Sequence, residues 1–211
     1  MTTSPPAAPD TRGRDPQLTV RRILKVNHAG EFGAIRIYGA QITVARHLFP
    51  DIVPVLEEMR ADEIDHCRLF REAMPARGAR PCRIMSLWSL GGYVLGALTA
   101  LGGRNTVWIC TEAVESAVHR HLEDQLAFLA DRDPQLHALI ASIQQQELAH
   151  LREAESRQQG RGLAHALLLP LVSGLTDLMI WLSTWGDSSR MRTDMARAGQ
   201  EGSASPPSYR P

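Results

Sequence analysis

Aromatic residues are scarce in this 211-residue chain, at 5%, so no surface for stacking nucleic-acid bases is expected. Net charge is missing too: 23 basic residues balance 23 acidic ones, and without a basic field nucleic acid is excluded as a partner. Lysine is nearly absent, Lys25 standing beside 22 arginines, a bias that carries no functional reading. The three cysteines (Cys67, Cys82, Cys110) form no CxxC pair. That excludes a disulfide scaffold and a rubredoxin-type iron site, and it fits a reducing compartment. The first sixteen residues hold four prolines and no apolar run, so no secretory signal is expected there and a cytosolic setting is the default. No stretch alternates at period two, which removes half-buried strands.

What is present is helical periodicity. Apolar residues recur at three and four, and the spacing predicts helices at about 18–48, 51–74, 105–131, 134–158 and 162–186. Asp133-Pro134 reads as an N-cap followed by a first-turn proline. Residues 1–17 and 187–211 are rich in Pro, Ser, Gly and Arg and are expected to be disordered tails around one domain over 18–186. Two uncharged stretches stand out, Ile84–Gly103 and Gly162–Thr176, the second continuing to Trp181 and Trp185. The first has spanning length but is diluted by glycine; the second contains Pro170 and then meets Asp177. Both are expected to pack on the core or lie in a membrane interface rather than cross it.

An internal repeat carries the chemistry. At an offset of 84 residues Glu31, Glu63 and His66 become Glu115, Glu147 and His150, and Ala29 and Gln41 become Ala113 and Gln125. The unit is a glutamate on one helix, then Glu-x-x-His 32 residues later. Each acid or imidazole interrupts an apolar stripe: Leu56, Met59, Glu63, His66, Phe70 in the second predicted helix, and Ile140, Ile143, Glu147, His150, Ala154 in the fourth. Glu31 shares a face with Leu24, Tyr38 and Ile42, and Glu115 with Trp108, Leu122 and Leu129.

Four buried glutamates beside two histidines cost many kcal/mol unless compensated. Two divalent cations bring four positive charges to four carboxylates. Two glutamates plus two Glu-x-x-His pairs is the ligand set of ferritin-like di-iron and di-manganese bundles, and mixed carboxylate and imidazole ligation suits iron or manganese. The expected fold is therefore all-α: a ferritin-like four-helix bundle, a long crossover (about 75–104) between its second and third helices, and an additional apolar C-terminal helix.

NHAGEFGA (27–34), DEIDH (62–66), TEAVE (111–115) and QELAH (146–150) resemble the motifs of the demethoxyubiquinone hydroxylase family, over about residues 20–185. The resemblance implies a di-iron monooxygenase of ubiquinone biosynthesis that uses O2 on a polyprenylated demethoxy-benzoquinone. It further implies peripheral attachment to a membrane, here the cytoplasmic face of the cell membrane, and contact with other ubiquinone-biosynthesis proteins. By the same resemblance Glu31, Glu63, His66, Glu115, Glu147 and His150 are the ligands of two iron ions, with Glu63 and Glu147 as bridges. One departure is visible. The family commonly has His-Tyr six residues beyond the third-helix glutamate, whereas here Leu122 follows His121, so a role for that tyrosine does not carry over.

Around these residues, Tyr38, His121 and Glu112 are candidates to support the ligands from behind. Glu112 could compete with Glu115, but at the repeat offset it maps to His28 and not to a glutamate. His28 and His119 lie nearby, and Cys67 follows a ligand position but points off its face. Gly30 and Gly33 are expected to allow close helix approach beside Glu31. A ferritin- or rubrerythrin-like oxidase or peroxidase and a non-enzymatic membrane-binding bundle are the competing classes. The apolar stretches, a liability on a soluble cage, favour the monooxygenase.

Overall fold

Asp15 accepts a 2.9 Å hydrogen bond from the backbone N–H of Gln17, and Pro16 fills the first turn, so the chain enters its first helix with one orphan donor satisfied. The computed structural model describes residues 15–203. They form α1 (Pro16–Leu48), α2 (Val53–Ala73), α3 (Met85–Leu101), α4 (Arg104–Leu129), α5 (Pro134–Ser156), α6 (Leu163–Ser183) and α7 (Asp187–Ser203), with no strand among the described residues. The predicted cap of α5 is present: Asp133 accepts from Leu136 N–H at 3.0 Å ahead of Pro134.

The predicted stripes are the buried faces. In α2 the buried set includes Leu56, Met59, Glu63, His66 and Phe70, and in α5 it is Leu136, Ile140, Ile143, Glu147, His150 and Ala154. Burying each large aliphatic side chain contributes about 1.5–3 kcal/mol, which sets the helices face to face with the polar residues trapped between them. The α1–α2 hairpin packs against the α4–α5 hairpin, α3 lies along α1, and α6 lies along α4. Asn27 and Gln125 exchange hydrogen bonds of 2.7 and 2.8 Å in the interior, which pins the register of α1 against α4.

The crossover is itself helical. α3 approaches α1 through glycines: a Cβ on Gly92 would sit 2.8 Å from the carbonyl oxygen of Gly33, and one on Gly96 would collide with that of Ile37. The close approach at Gly33 is thus made possible by the missing side chain of Gly92 on α3. Gly30 plays no such part, since a Cβ there meets nothing within 4 Å.

The polar composition of 187–211 predicts a tail, but the chain continues as α7. Gly186, with φ of 74°, turns the backbone after α6. Met191 and Met195 bury against the core, and Asp187 and Asp194 pair with Lys25 at 2.6 Å and Arg22 at 2.7 Å. Two methionines four residues apart are too sparse a pattern to read as a helix, and long-range ion pairs leave no local signature. At the other end Asp15 and Pro16, read as tail, cap and start α1. Residues 1–14 and 204–211 lie outside the described residues.

Among the described residues α6, Pro170 and Asp177 notwithstanding, is the one helix long and apolar enough to cross a membrane by length and composition alone, whereas the apolar part of α3, Ser89–Leu101, is shorter. Leu163, Leu167, Leu171, Leu175, Leu178 and Leu182 are exposed on α6, as are Leu90, Val94, Leu98 and Leu101 on α3. Each series runs at three- and four-residue steps, so each helix presents an apolar stripe to the outside.

Candidate metal centre

Two constellations lie at the middle of the bundle. Glu31, Glu63, His66 and Glu147 can bring one ligand atom each within 4.8 Å of one another, and so can Glu63, Glu115, Glu147 and His150. The two share Glu63 and Glu147. All six side chains are buried, Glu63, His66, Glu115 and Glu147 at 1% exposure. The geometry repeats the duplication: His66 Nδ1 lies 3.0 Å from Glu147 and 3.7 Å from Glu63, while His150 Nδ1 lies 3.4 Å from Glu63 and 3.7 Å from Glu147.

Both oxygens of Glu63, both of Glu147 and the Nδ1 atoms of both histidines are buried and make no well-aligned hydrogen bond, although these carboxylates and imidazoles lie 3.0–3.7 Å from one another. Such groups normally find one, because each orphan costs about 1–3 kcal/mol. Six orphans pointing into one space, all of metal-ligand type, fit a pair of cations.

In the metal-free chain protons take the place of the cations. Burial, then the charges of Glu147 and Glu63, push the Glu31 and Glu115 carboxyls well above the usual range. Burial acts to lower the histidines, but the adjoining carboxylates Glu147 and Glu63 override it and push His66 up to about 12 and His150 to about 11. Glu147 goes the other way: burial alone would raise it, and the flanking His150 and His66 hold it well below.

The outer contacts are specific. Tyr38, two turns along α1 from Glu31, donates its hydroxyl to Oε1 of Glu115 at 2.7 Å. Nε2 of His66 meets Oε1 of Gln146 at 2.9 Å, and Nε2 of His150 meets Oδ2 of Asp62 at 3.0 Å. No apolar stripe singles out Asp62 and Gln146 in the sequence, yet they stand 84 residues apart, each immediately before a repeat glutamate. The offset that relates the ligands also relates their supports.

The other candidates lie elsewhere. Glu112 is buried but belongs to neither constellation; it accepts from Gln158 at 2.6 Å and contacts His165 Nε2 at 2.8 Å. It ties α4 to the start of α6, a contact between distant segments with no local motif. His121 reaches Asp177 of α6 at 3.4 Å and not the centre. His119 pairs with Glu123 at 3.2 Å on its own helix. His28 is buried, and burial lowers its pKa. Burial pushes the Cys67 thiol up to about 11, which keeps it protonated and inert.

An all-α bundle whose facing helices bring two Glu and two Glu-x-x-His together in buried clusters able to hold metal defines the class: a ferritin-like, carboxylate-rich helical bundle. The chain belongs to the family described as Ubiquinone biosynthesis protein COQ7, which it matches over residues 18–183. It is similar to the NADPH-dependent 3-demethoxyubiquinone 3-hydroxylase, mitochondrial, of Mus musculus, at 35% identity over 168 residues, 78% of this chain and 76% of that protein. It is 36% identical over 172 residues to the 3-demethoxyubiquinol 3-hydroxylase of Rhodospirillum rubrum, covering 80% and 79% of the two chains. It is 30% identical over 175 residues to the 5-demethoxyubiquinone hydroxylase, mitochondrial, of Saccharomyces cerevisiae, covering 76% and 75%.

Proposed function

We propose that this chain is a monooxygenase that hydroxylates the ring of a polyprenylated demethoxy-benzoquinone (2-polyprenyl-3-methyl-6-methoxy-1,4-benzoquinone) in ubiquinone biosynthesis, with O2 as oxidant. The observation that carries this reading is the pair of buried constellations sharing Glu63 and Glu147, in a chain whose relatives are named as hydroxylases of demethoxyubiquinone. Glu63 and Glu147, common to both constellations, would help hold both iron ions, with Glu31 and His66 completing one position and Glu115 and His150 the other. When bound, the irons would supply the activation of O2; one oxygen atom enters the ring C–H bond as a hydroxyl and the other leaves as water, with two electrons from a reductant and two protons.

The protein's part is placement. α1 and α4, which carry Glu31 and Glu115, are the helices covered by α3 and α6, whose outward stripes are apolar. A quinone with its isoprenoid tail in lipid would reach the centre from that side, its ring between the helices near Glu31 and Glu115. The chain would then sit peripherally on the cytoplasmic face of the cell membrane, α3 and α6 lying in the interface, within reach of other proteins of the pathway. The half-buried Asp177 on α6, paired with His121, suits an interfacial helix better than a spanning one.

The test is metal content after anaerobic purification combined with assay on a short-tailed demethoxy-quinone. Two irons per chain and a product heavier by one oxygen are expected. One metal or none in active protein would overturn the dimetal reading.

A further inference from the structure

Duplication predicts two equal metal positions, and the structure breaks that equality twice. At the offset of 84, Asp62 corresponds to Gln146 and Tyr38 to Leu122. Nε2 of His150 faces the Asp62 carboxylate at 3.0 Å, whereas Nε2 of His66 faces the neutral Gln146 amide at 2.9 Å. Tyr38 donates to Glu115 at 2.7 Å, whereas Leu122, an apolar core residue at 1% exposure, has no donor to offer Glu31. Both differences favour the same side.

We propose that the two positions are unequal, and that the one formed by Glu115 and His150 fills first and holds its metal more tightly. This inference rests on the dimetal reading and refines it.

An ionised carboxylate only accepts hydrogen bonds. Asp62 therefore requires the hydrogen of His150 on Nε2 and leaves the Nδ1 lone pair for a cation. Gln146 can present either its oxygen or its nitrogen, so it does not dictate the tautomer of His66. The charge of Asp62 also makes the His150 imidazole a stronger donor to the metal, as outer carboxylates do for metal-bound histidines. Tyr38 holds one Glu115 oxygen in place and so orients the other. That bond is charge-assisted once Glu115 is ionised, and what it adds to the preference is the fixed orientation of the ligand.

Because Glu63 and Glu147 serve both positions, the second metal binds differently from the first in any case. The readout is therefore which position fills first. The experiment is anaerobic titration of the full-length apo-chain with Co2+, followed by its ligand-field bands, with helix content checked by circular dichroism. Glu31→Ala, which spares the Glu115/His150 position, should keep the first, tight step, and Glu115→Ala should lose it. Asp62→Asn should weaken that step by about 10–100-fold, the usual cost of removing an outer partner. The charge-conserving exchange Asp62→Gln with Gln146→Asp should move the tight step to the His66 side, so that Glu31→Ala in that background now abolishes it. Equal losses in the Glu31→Ala and Glu115→Ala chains, or an unmoved first step after the exchange, would overturn the inequality. If the exchanged chain loses helix, the two single-ligand variants still decide the matter. Failure of the wild-type chain to bind two Co2+ would instead count against the dimetal centre itself.

Discussion

The hydroxyl of Tyr38 reaches across from α1 to α4 and donates to Oε1 of Glu115 at 2.7 Å, inside a region where both residues are buried. Its neighbours raise the Tyr38 pKa, burial first and then the charge of Glu115, so the phenol stays a proton donor throughout the physiological range. Tyr38→Phe removes that donor and leaves a carboxylate oxygen unpaired in the interior, at a cost of about 1–3 kcal/mol. The expected variant unfolds at lower denaturant concentration, keeps two metals and hydroxylates more slowly. Unchanged stability and rate would mean that the contact orients nothing.

Glu63 and Glu147 belong to both constellations, so either change to alanine should strip metal from both positions and abolish hydroxylation while far-UV circular dichroism stays helical. Glu58→Ala, on the exposed side of α2, is the matched control and should retain metal and activity. Two metals and full turnover in Glu63→Ala or Glu147→Ala would refute the shared-ligand arrangement.

Acid should release the metals. In the metal-free chain His66 and His150 keep their protons up to about 12 and 11, and Glu31 and Glu115 are raised as well. Metal binding must therefore expel protons, and affinity rises with pH and falls as pH drops. Displacing a single proton changes affinity about tenfold per pH unit, and two or more change it more steeply. Calorimetry in buffers of different ionisation heat would count the protons released; no release and constant affinity between pH 6 and 8 would contradict the protonation described here.

The crossing of α3 over α1 makes a further test. Gly96→Ala forces the backbones apart at Ile37, and overpacking of this kind costs about 1–3 kcal/mol. Gly30→Ala, with open space at its Cβ, should instead add about 0.5–1 kcal/mol of helix stability. Chemical denaturation of the two variants checks both signs.

These residues also show how far the sequence can be read. The stripes of α2 and α5 were legible because Glu63, His66, Glu147 and His150 break an otherwise apolar period, and a carboxylate on a buried face demands a reason. The choice of Glu115 over Glu112 came from the repeat alone, and the structure keeps Glu112 with Gln158 and His165, away from both constellations. α7 was not legible, since its burial rests on Met191, Met195 and ion pairs to residues 162–172 positions away. Nor were Asp62 and Gln146, which lie beside the apolar stripes and gain meaning only when α2 and α5 meet. Gly92 and Gly96 sat in a stretch read for its hydropathy, which says nothing about which helix passes within contact of it.

A centre that hydroxylates a quinone ring and one that stores or merely oxidises iron differ in how they respond to substrate. The direct measurement is to mix the diferrous chain and a competent reductant with 18O2, with and without a short-tailed demethoxy-quinone, and follow iron oxidation and ring label together. The account predicts that quinone accelerates or productively couples the reaction of iron with O2. One labelled oxygen should appear per product, at a yield lost in Glu115→Ala and His150→Ala. Rapid iron oxidation that ignores the quinone, with no label in the ring, would contradict it and point to an oxidase or storage bundle.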